Sequence, residues 1–258
     1  MTGRPLTAQQ VLSRVHRGSS SPVVVTTNSG IFFTKLRGAG QGVLALVAEI
    51  IVAELAQAIG LPVPERALIE LPIDIESDDK NDELADLLRR SAGLNLGFRF
   101  LDNAKDATAR DLLALDNDFA ARVLWLDGLC MNPDRSLVNP NILLWHGGPW
   151  LIDHGAALPF HHDWGRVTEA SPQEAMDYSR HIFAERLPAL RHLDDALARV
   201  LTRDRIRTAI AAVPEDMLLT PSNPVSPTTI DVARIRTAYE AFLWKRLKSP
   251  RPFVPTWV

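Results

Sequence analysis

Residues 125–155 read WLDGLCMNPDRSLVNPNILLWHGGPWLIDHG, and the rest of the chain is best understood outward from them. Two short apolar runs, NILLWH at 141–146 and PWLI at 149–152, flank Gly147-Gly148, a pair that signals a two-residue hairpin turn. With residue 146 facing 149, Ile142 faces Asp153. Asp153 then lies at the open end of the hairpin, beside the loop that carries Asp134 and Asn139, so three polar side chains distant in sequence share one edge. Just upstream, residues 116–131 form a helix with Phe119, Val123, Leu126 and Cys130 on one face. Packing of that face sets the position of Asp134.

The chemistry of this edge is that of phosphate. Asp134 and Asn139 have the Asp-x-x-x-x-Asn spacing of protein-kinase-like catalytic loops. There the Asp orients or deprotonates an acceptor hydroxyl and the Asn holds a metal ion, while the Asp of a later Asp-x-Gly turn holds metal against a triphosphate. Asp153-His154-Gly155 supplies that turn. A carboxylate and an amide oxygen suit Mg²⁺, which takes one or two carboxylates together with substrate phosphates and water. Asn-Pro-Asp and Asn-Pro-Asn are also ordinary turn formers; the conjunction of loop, hairpin and Asp-x-Gly turn carries the reading. His146, His154, His161 and His162 lie near Asp163, but no His-Glu-x-x-His pattern or Cys pair accompanies them. Zinc is therefore not expected.

Before this stretch, residues 7–16, behind a capping Thr, predict a short helix or a frayed edge. VVVTT and IFFTKL, around Asn28-Ser29-Gly30, predict a hairpin that sits first in a sheet, with Lys35 near the end of its second strand. The loop of Gly18, Ser19, Ser20 and Ser21 fits either a phosphate-cradling segment or a flexible connection. From residue 42 to 59 the period becomes helical through Leu44, Val47, Ile51, Leu55 and Ile59, and Gly60, Pro62 and Pro64 end the helix. Glu49 falls on another face beside Leu46, Ala53 and Ala56. A carboxylate there calls for a cation, with Lys35 the candidate; the alternative is an exposed Glu49, like Glu54.

Farther along, RALIEL at 66–71 reads as a strand. The acidic run 74–86 is a solvated loop opening into a helix at 84–90, residues 91–101 end in strand-like alternation, and a hinge is expected near 102–112. After Gly155 the chain predicts helices over 172–186, 190–201, 203–212 and 229–247. Residues 219–229 form a proline-bearing loop between the last two. Arg234, Arg236, Lys245 and Arg246 form a solvated face of the terminal helix, and the tail docks through Phe253 and Trp257.

With 258 residues, 46% of them hydrophobic and 23% charged, the chain has the composition of a soluble globular protein able to bury a sizeable core. A net charge of −3 gives no general attraction to nucleic acid or to an anionic membrane. The single Cys130 lies in an apolar helical run, which fits a buried thiol in a reducing, cytoplasmic compartment. The N-terminus lacks the apolar run of a signal peptide. Glu49 and Glu54 interrupt the longest apolar region, which argues against a membrane span.

NPDRSLVNPNILLW and WLIDHG, with the upstream FFTKL and AEIIVAELAQAIGLPVPE, resemble the short bacterial HipA-like kinase domains, relatives of the HipA toxin kinases. The resemblance covers roughly residues 18–165 with motifs. It implies an α+β, two-lobed, protein-kinase-like fold that binds ATP and Mg²⁺ between its lobes. The smaller lobe, of sheet and helix, would span residues 1–105, and the mainly helical one 106–258. It implies Asp134 as the catalytic Asp, Asn139 and Asp153 as metal ligands, Lys35 as the phosphate-binding lysine and Glu49 as its helix partner. Two departures stand out. Ser136 occupies the place where the toxins usually have His, and the length leaves no room for their extra N-terminal subdomain. The expected activity is transfer of the ATP γ-phosphoryl group to a Ser or Thr hydroxyl of a protein. The alternatives are a small-molecule acceptor on the same fold, or an inactive module that binds nucleotide or docks a partner.

Overall fold

The structure, a computed structural model, describes residues 3–14, 21–40, 42–79, 81–219 and 231–255. Ser19, Ser20, most of the 219–229 loop and Trp257 lie outside the described residues. The chain forms two compact units, one of Met1–Leu46 with Pro64–Asn103 and the other of Val47–Val63 with Ala104–Val258.

The first unit is built on strands β1 (Leu6–Arg14), β2 (Val23–Thr27) and β3 (Gly30–Lys35). Helix α1 (Gly42–Ala58), which belongs to the second unit from Val47 on, leads to β4 (Arg66–Leu71), the two-residue β5 (Glu76–Ser77), α2 (Asp82–Arg90) and β6 (Gly93–Arg99) of the first. The sheet order is β2-β3-β6-β4-β1-β5, and β1 also pairs with β2. Residues 7–14 are therefore strand and not the expected short helix or frayed edge, and this strand precedes the β2–β3 hairpin in the chain. Ala8 and Val11 are buried, and β1 answers the backbone of the buried Val23 and Val25 through a twice-shifted antiparallel register. Tertiary pairing overrides a weak local helix preference. The segment 91–101, which alternation alone does not place, supplies the strand between β3 and β4. Val11, Val25, Phe32, Ile69 and the α2 residues Leu84, Leu87 and Leu88 close the core of this unit.

The second unit contains β7 (Lys105–Asp106), α3 (Ala109–Ala114), α4 (Asn117–Cys130), β8 (Ile142–Trp145) and β9 (Gly148–Leu151). Helices α5 (Leu190–Val200), α6 (Arg203–Ala211), α7 (Glu215–Leu218) and α8 (Val232–Leu247) follow. Helix α4 is capped by the Asp116 carboxylate and closed by Met131 in the left-handed conformation. Eleven of its residues are buried, so it is covered on every side and not on the one predicted face. The expected helix over 172–186 is absent. Ser171–Gln173 and Ala184–Ala189 are short 3₁₀ turns, and the chain between them spends its polar groups on tertiary bonds. Ile182 N–H donates to the Arg135 carbonyl at 3.1 Å, and the Tyr178 hydroxyl lies 3.1 and 3.0 Å from the Leu124 and Phe253 carbonyls. Arg246 is a further correction. Instead of lying on a solvated face it is fully buried, donating to the carbonyls of Gly128, Pro172 and Glu174. No described helix is long and apolar enough to cross a membrane.

Candidate active site

The β8–β9 hairpin turns one residue earlier than the apolar runs suggest. Trp145 pairs with Gly148 and Ile142 with Leu151, so the turn is His146-Gly147 and Ile142 does not face Asp153. The reason lies in the backbone. A tight hairpin of this twist needs positive φ at both central residues, and His146 and Gly147 adopt φ of 49° and 78°. The open end still carries Asp153. Ile152 N–H donates to the Asn141 carbonyl at 3.0 Å, and Asp153 then turns away with φ of 56°. Left-handed backbone at a residue other than Gly is tolerated best by Asn and Asp, and Asn141 adopts it as well, at φ 53°.

The loop between α4 and β8 gathers the polar groups. Asn139 Nδ2 donates to Asp134 Oδ2 at 2.9 Å. Asn141 Nδ2 lies 3.4 Å from the same oxygen and 3.5 Å from the Asp153 carbonyl, so it links the Asp134 loop to the Asp-x-Gly turn. The Asn139 amide gives its nitrogen to Asp134, which leaves its oxygen as the atom suited to a cation. A carboxylate, as at Asp153, and an amide oxygen, as at Asn139, are the hard donor types that Mg²⁺ takes. No cluster of three or more His, Cys, Asp and Glu side chains gathers among the described residues.

Behind the loop lies a buried ionic network. Asp127, in the last turn of α4, is fully buried and accepts Arg135 Nε at 2.6 Å and Asn132 Nδ2 at 2.9 Å. Arg135, 1% exposed, also donates to the Pro140 and Asn141 carbonyls at 3.2 and 2.9 Å. Asn132 Oδ1 accepts the Asp134 N–H at 3.2 Å. His181 completes the set: its Nδ1 accepts the Phe183 N–H, which assigns the proton to Nε2, and Nε2 donates to Asp127 at 3.0 Å. Burial alone would raise the Asp127 carboxyl, but the Arg135 guanidinium and the His181 imidazole outweigh it and hold the group well below the usual carboxylate range. Asp134 is thus bracketed by residues 132 and 135, both tied to one buried carboxylate.

A sequence model of HipA-like kinases matches residues 8–245. The chain belongs to the HipA-like kinase family. The fold of this HipA-like kinase is similar to the crystal structure of the proinflammatory kinase CtkA from Helicobacter pylori. The TM-score is 0.53 at 12% identity, over 91% of this chain and 89% of that one. No curated protein matches the chain. Family and fold support a phosphotransferase of kinase type.

In this HipA-like kinase, Asp134, Asn139 and Asp153 are joined through Asn141 within the second unit. Lys35, in the first unit, is the last residue of β3 and 6% exposed; Glu49, in α1, is fully buried, which excludes the exposed alternative. Ser21 is half-buried, with its hydroxyl accepting Arg14 Nη2 at 3.1 Å, while Ser19 and Ser20 fall outside the described residues. Asn141 and the network of Asp127, Asn132, Arg135 and His181 were not among the residues expected from sequence. A charged residue inside the apolar run WLDGLC was the available signal for Asp127. His181, 54 residues away from it, had none.

Proposed function

We propose that this chain is a Mg·ATP-dependent kinase that transfers the γ-phosphoryl group to a Ser or Thr hydroxyl of a polypeptide. The observation that carries this is the hydrogen-bonded set of Asp134, Asn139, Asn141 and the Asp153 turn, held from behind by a buried ion pair. Such a site is short of covalent chemistry and rich in fixed polar groups, which is what phosphoryl transfer asks of a protein. Asp134 Oδ1 and Oδ2 orient the acceptor hydroxyl and receive its proton as attack proceeds. Asn139, by donating to Asp134 Oδ2, restrains that carboxylate in one orientation. Asn139 and Asp153 are the residues that would hold Mg²⁺, which when bound offsets charge on the phosphates. Lys35 takes the role of neutralising nucleotide phosphate, Glu49 that of positioning Lys35, and Ser19, Ser20 and Ser21 that of a phosphate-facing loop.

The test is a melting experiment with and without Mg·ATP, coupled to an assay of γ-phosphoryl transfer. A ligand at about 100 times its Kd stabilises by roughly 2.7 kcal/mol, a shift of about 5–10 °C for a chain of this size. Wild type should show the shift only when Mg²⁺ is present, and Asp153→Asn should lose it. Asp134→Asn should keep the shift and lose transfer by about 10³-fold or more. Full transfer by Asp134→Asn would overturn its role, and no shift in wild type at millimolar ATP would overturn the nucleotide site.

A further inference from the structure

Between Asp134 and Asn139 the loop makes a tight excursion that the proposed chemistry does not use. Ser136 N–H donates to the Asn139 carbonyl and Asn139 N–H to the Ser136 carbonyl, each at 3.1 Å, closing a two-residue tip of Leu137 and Val138. The base of the tip is held: Ser136 pairs with His181 in an isolated antiparallel bridge, and Arg135, the residue before it, is buried. The tip itself is bare. Leu137 is 70% exposed and Val138 91%, the most exposed large apolar side chain among the described residues. Scattered apolar residues on a surface are ordinary. Two adjacent ones, on a loop pinned at both ends by the residues assigned to acceptor and metal, are placed where an acceptor must pass.

We infer that Leu137 and Val138 form an acceptor-selecting contact, favouring a polypeptide whose phosphorylated Ser or Thr has an aliphatic neighbour. The inference rests on the phosphotransferase reading and refines its acceptor. A sugar or other small polar acceptor gains nothing by covering two aliphatic side chains. A polypeptide segment with its hydroxyl against Asp134 extends past the Asp134–Asn139 loop, and an aliphatic side chain next to that hydroxyl leaves water together with the tip. The tip therefore reads the residue beside the acceptor and leaves the hydroxyl to Asp134.

Two serine peptides of equal length and charge test this, one with Leu on both sides of the Ser and the other with Asn. They are compared on wild type and on the double variant Leu137→Asn, Val138→Thr, with the Mg·ATP melting shift measured on both proteins. Wild type should favour the Leu-flanked peptide by about tenfold in kcat/KM, chiefly through KM. The variant should keep its melting temperature and its nucleotide shift while the preference falls to near unity. Equal use of the two peptides by wild type, an undiminished preference in the variant, or transfer to neither peptide despite a normal shift would each overturn the inference and leave the nucleotide site standing. No Mg·ATP shift in wild type would instead overturn the reading beneath it.

Discussion

Asp127 shows how much one residue can decide. It touches neither nucleotide nor acceptor in the proposed chemistry, yet its carboxylate ties Asn132, Arg135 and His181 together, and two of these bracket Asp134. Breaking a buried ion pair from one side leaves an uncompensated charge, which costs about 3–5 kcal/mol. Asp127→Asn should destabilise the fold by that order in urea titrations, and it should lower kcat more than it raises the KM for ATP. Asp134→Ala, by contrast, should leave stability within about 1 kcal/mol while abolishing transfer. The protonation balance has a definite sign. A carboxyl held below its unfolded value stabilises the protein above a pH of about 4, and that stability is lost as the pH falls through the depressed folded value. Asp127 was legible as an oddity in an apolar run; its partners were not, because the ion pair is made by chain returning from residues 135 and 181.

At the scale of elements, α4 carries the positional information. Its periodicity was plain in the sequence, but a single buried face understated it. Trp125 donates to Asp194 at 2.8 Å and packs edge-on against Phe253, while the buried Arg246 grips the Gly128 carbonyl. Gly128 is the point of closest approach. A Cβ there would collide with the Tyr178 hydroxyl and fall 2.9 Å from Phe253 carbons. In an open helix Gly→Ala gains about 1 kcal/mol; here overpacking of about 1–3 kcal/mol or more opposes it. Gly128→Ala should thus lower the chemical-denaturation midpoint, and Tyr178→Phe in the same chain should recover part of the loss by removing the clashing oxygen. An increase in stability on Gly128→Ala alone would show that this packing is looser than described.

Across the whole molecule, pH reports on a second buried group that has no part in the proposed chemistry. His161 is fully buried, with Nδ1 2.9 Å from the Tyr239 hydroxyl and the rings of Phe160 and His162 beside it. Burial, aided by the neighbouring His162, pushes its pKa down to about 3. A histidine depressed in this way contributes stability that is complete above about 6.5 and is lost as the pH falls from there toward 3, with a slope of up to about 1.4 kcal/mol per pH unit. Stability measured from pH 7 to pH 4.5 should therefore decline in wild type. The decline should be shallower in His161→Gln, which cannot titrate. An identical slope in the two proteins would remove His161 as its source.

The spacing of Asp134, Asn139 and Asp153, the hairpin between them, and the helix before them were all determined by the sequence alone. So was the strand that ends in Lys35. These features follow from side-chain period and turn chemistry, which act over a few residues. Tertiary structure alone decided that residues 7–14 pair as a strand and that 172–186 do not coil. It also buried Arg246 and gave Asp127 its partners. Each of these depends on which distant group satisfies a backbone N–H or a buried charge, and a local pattern carries no record of that partner.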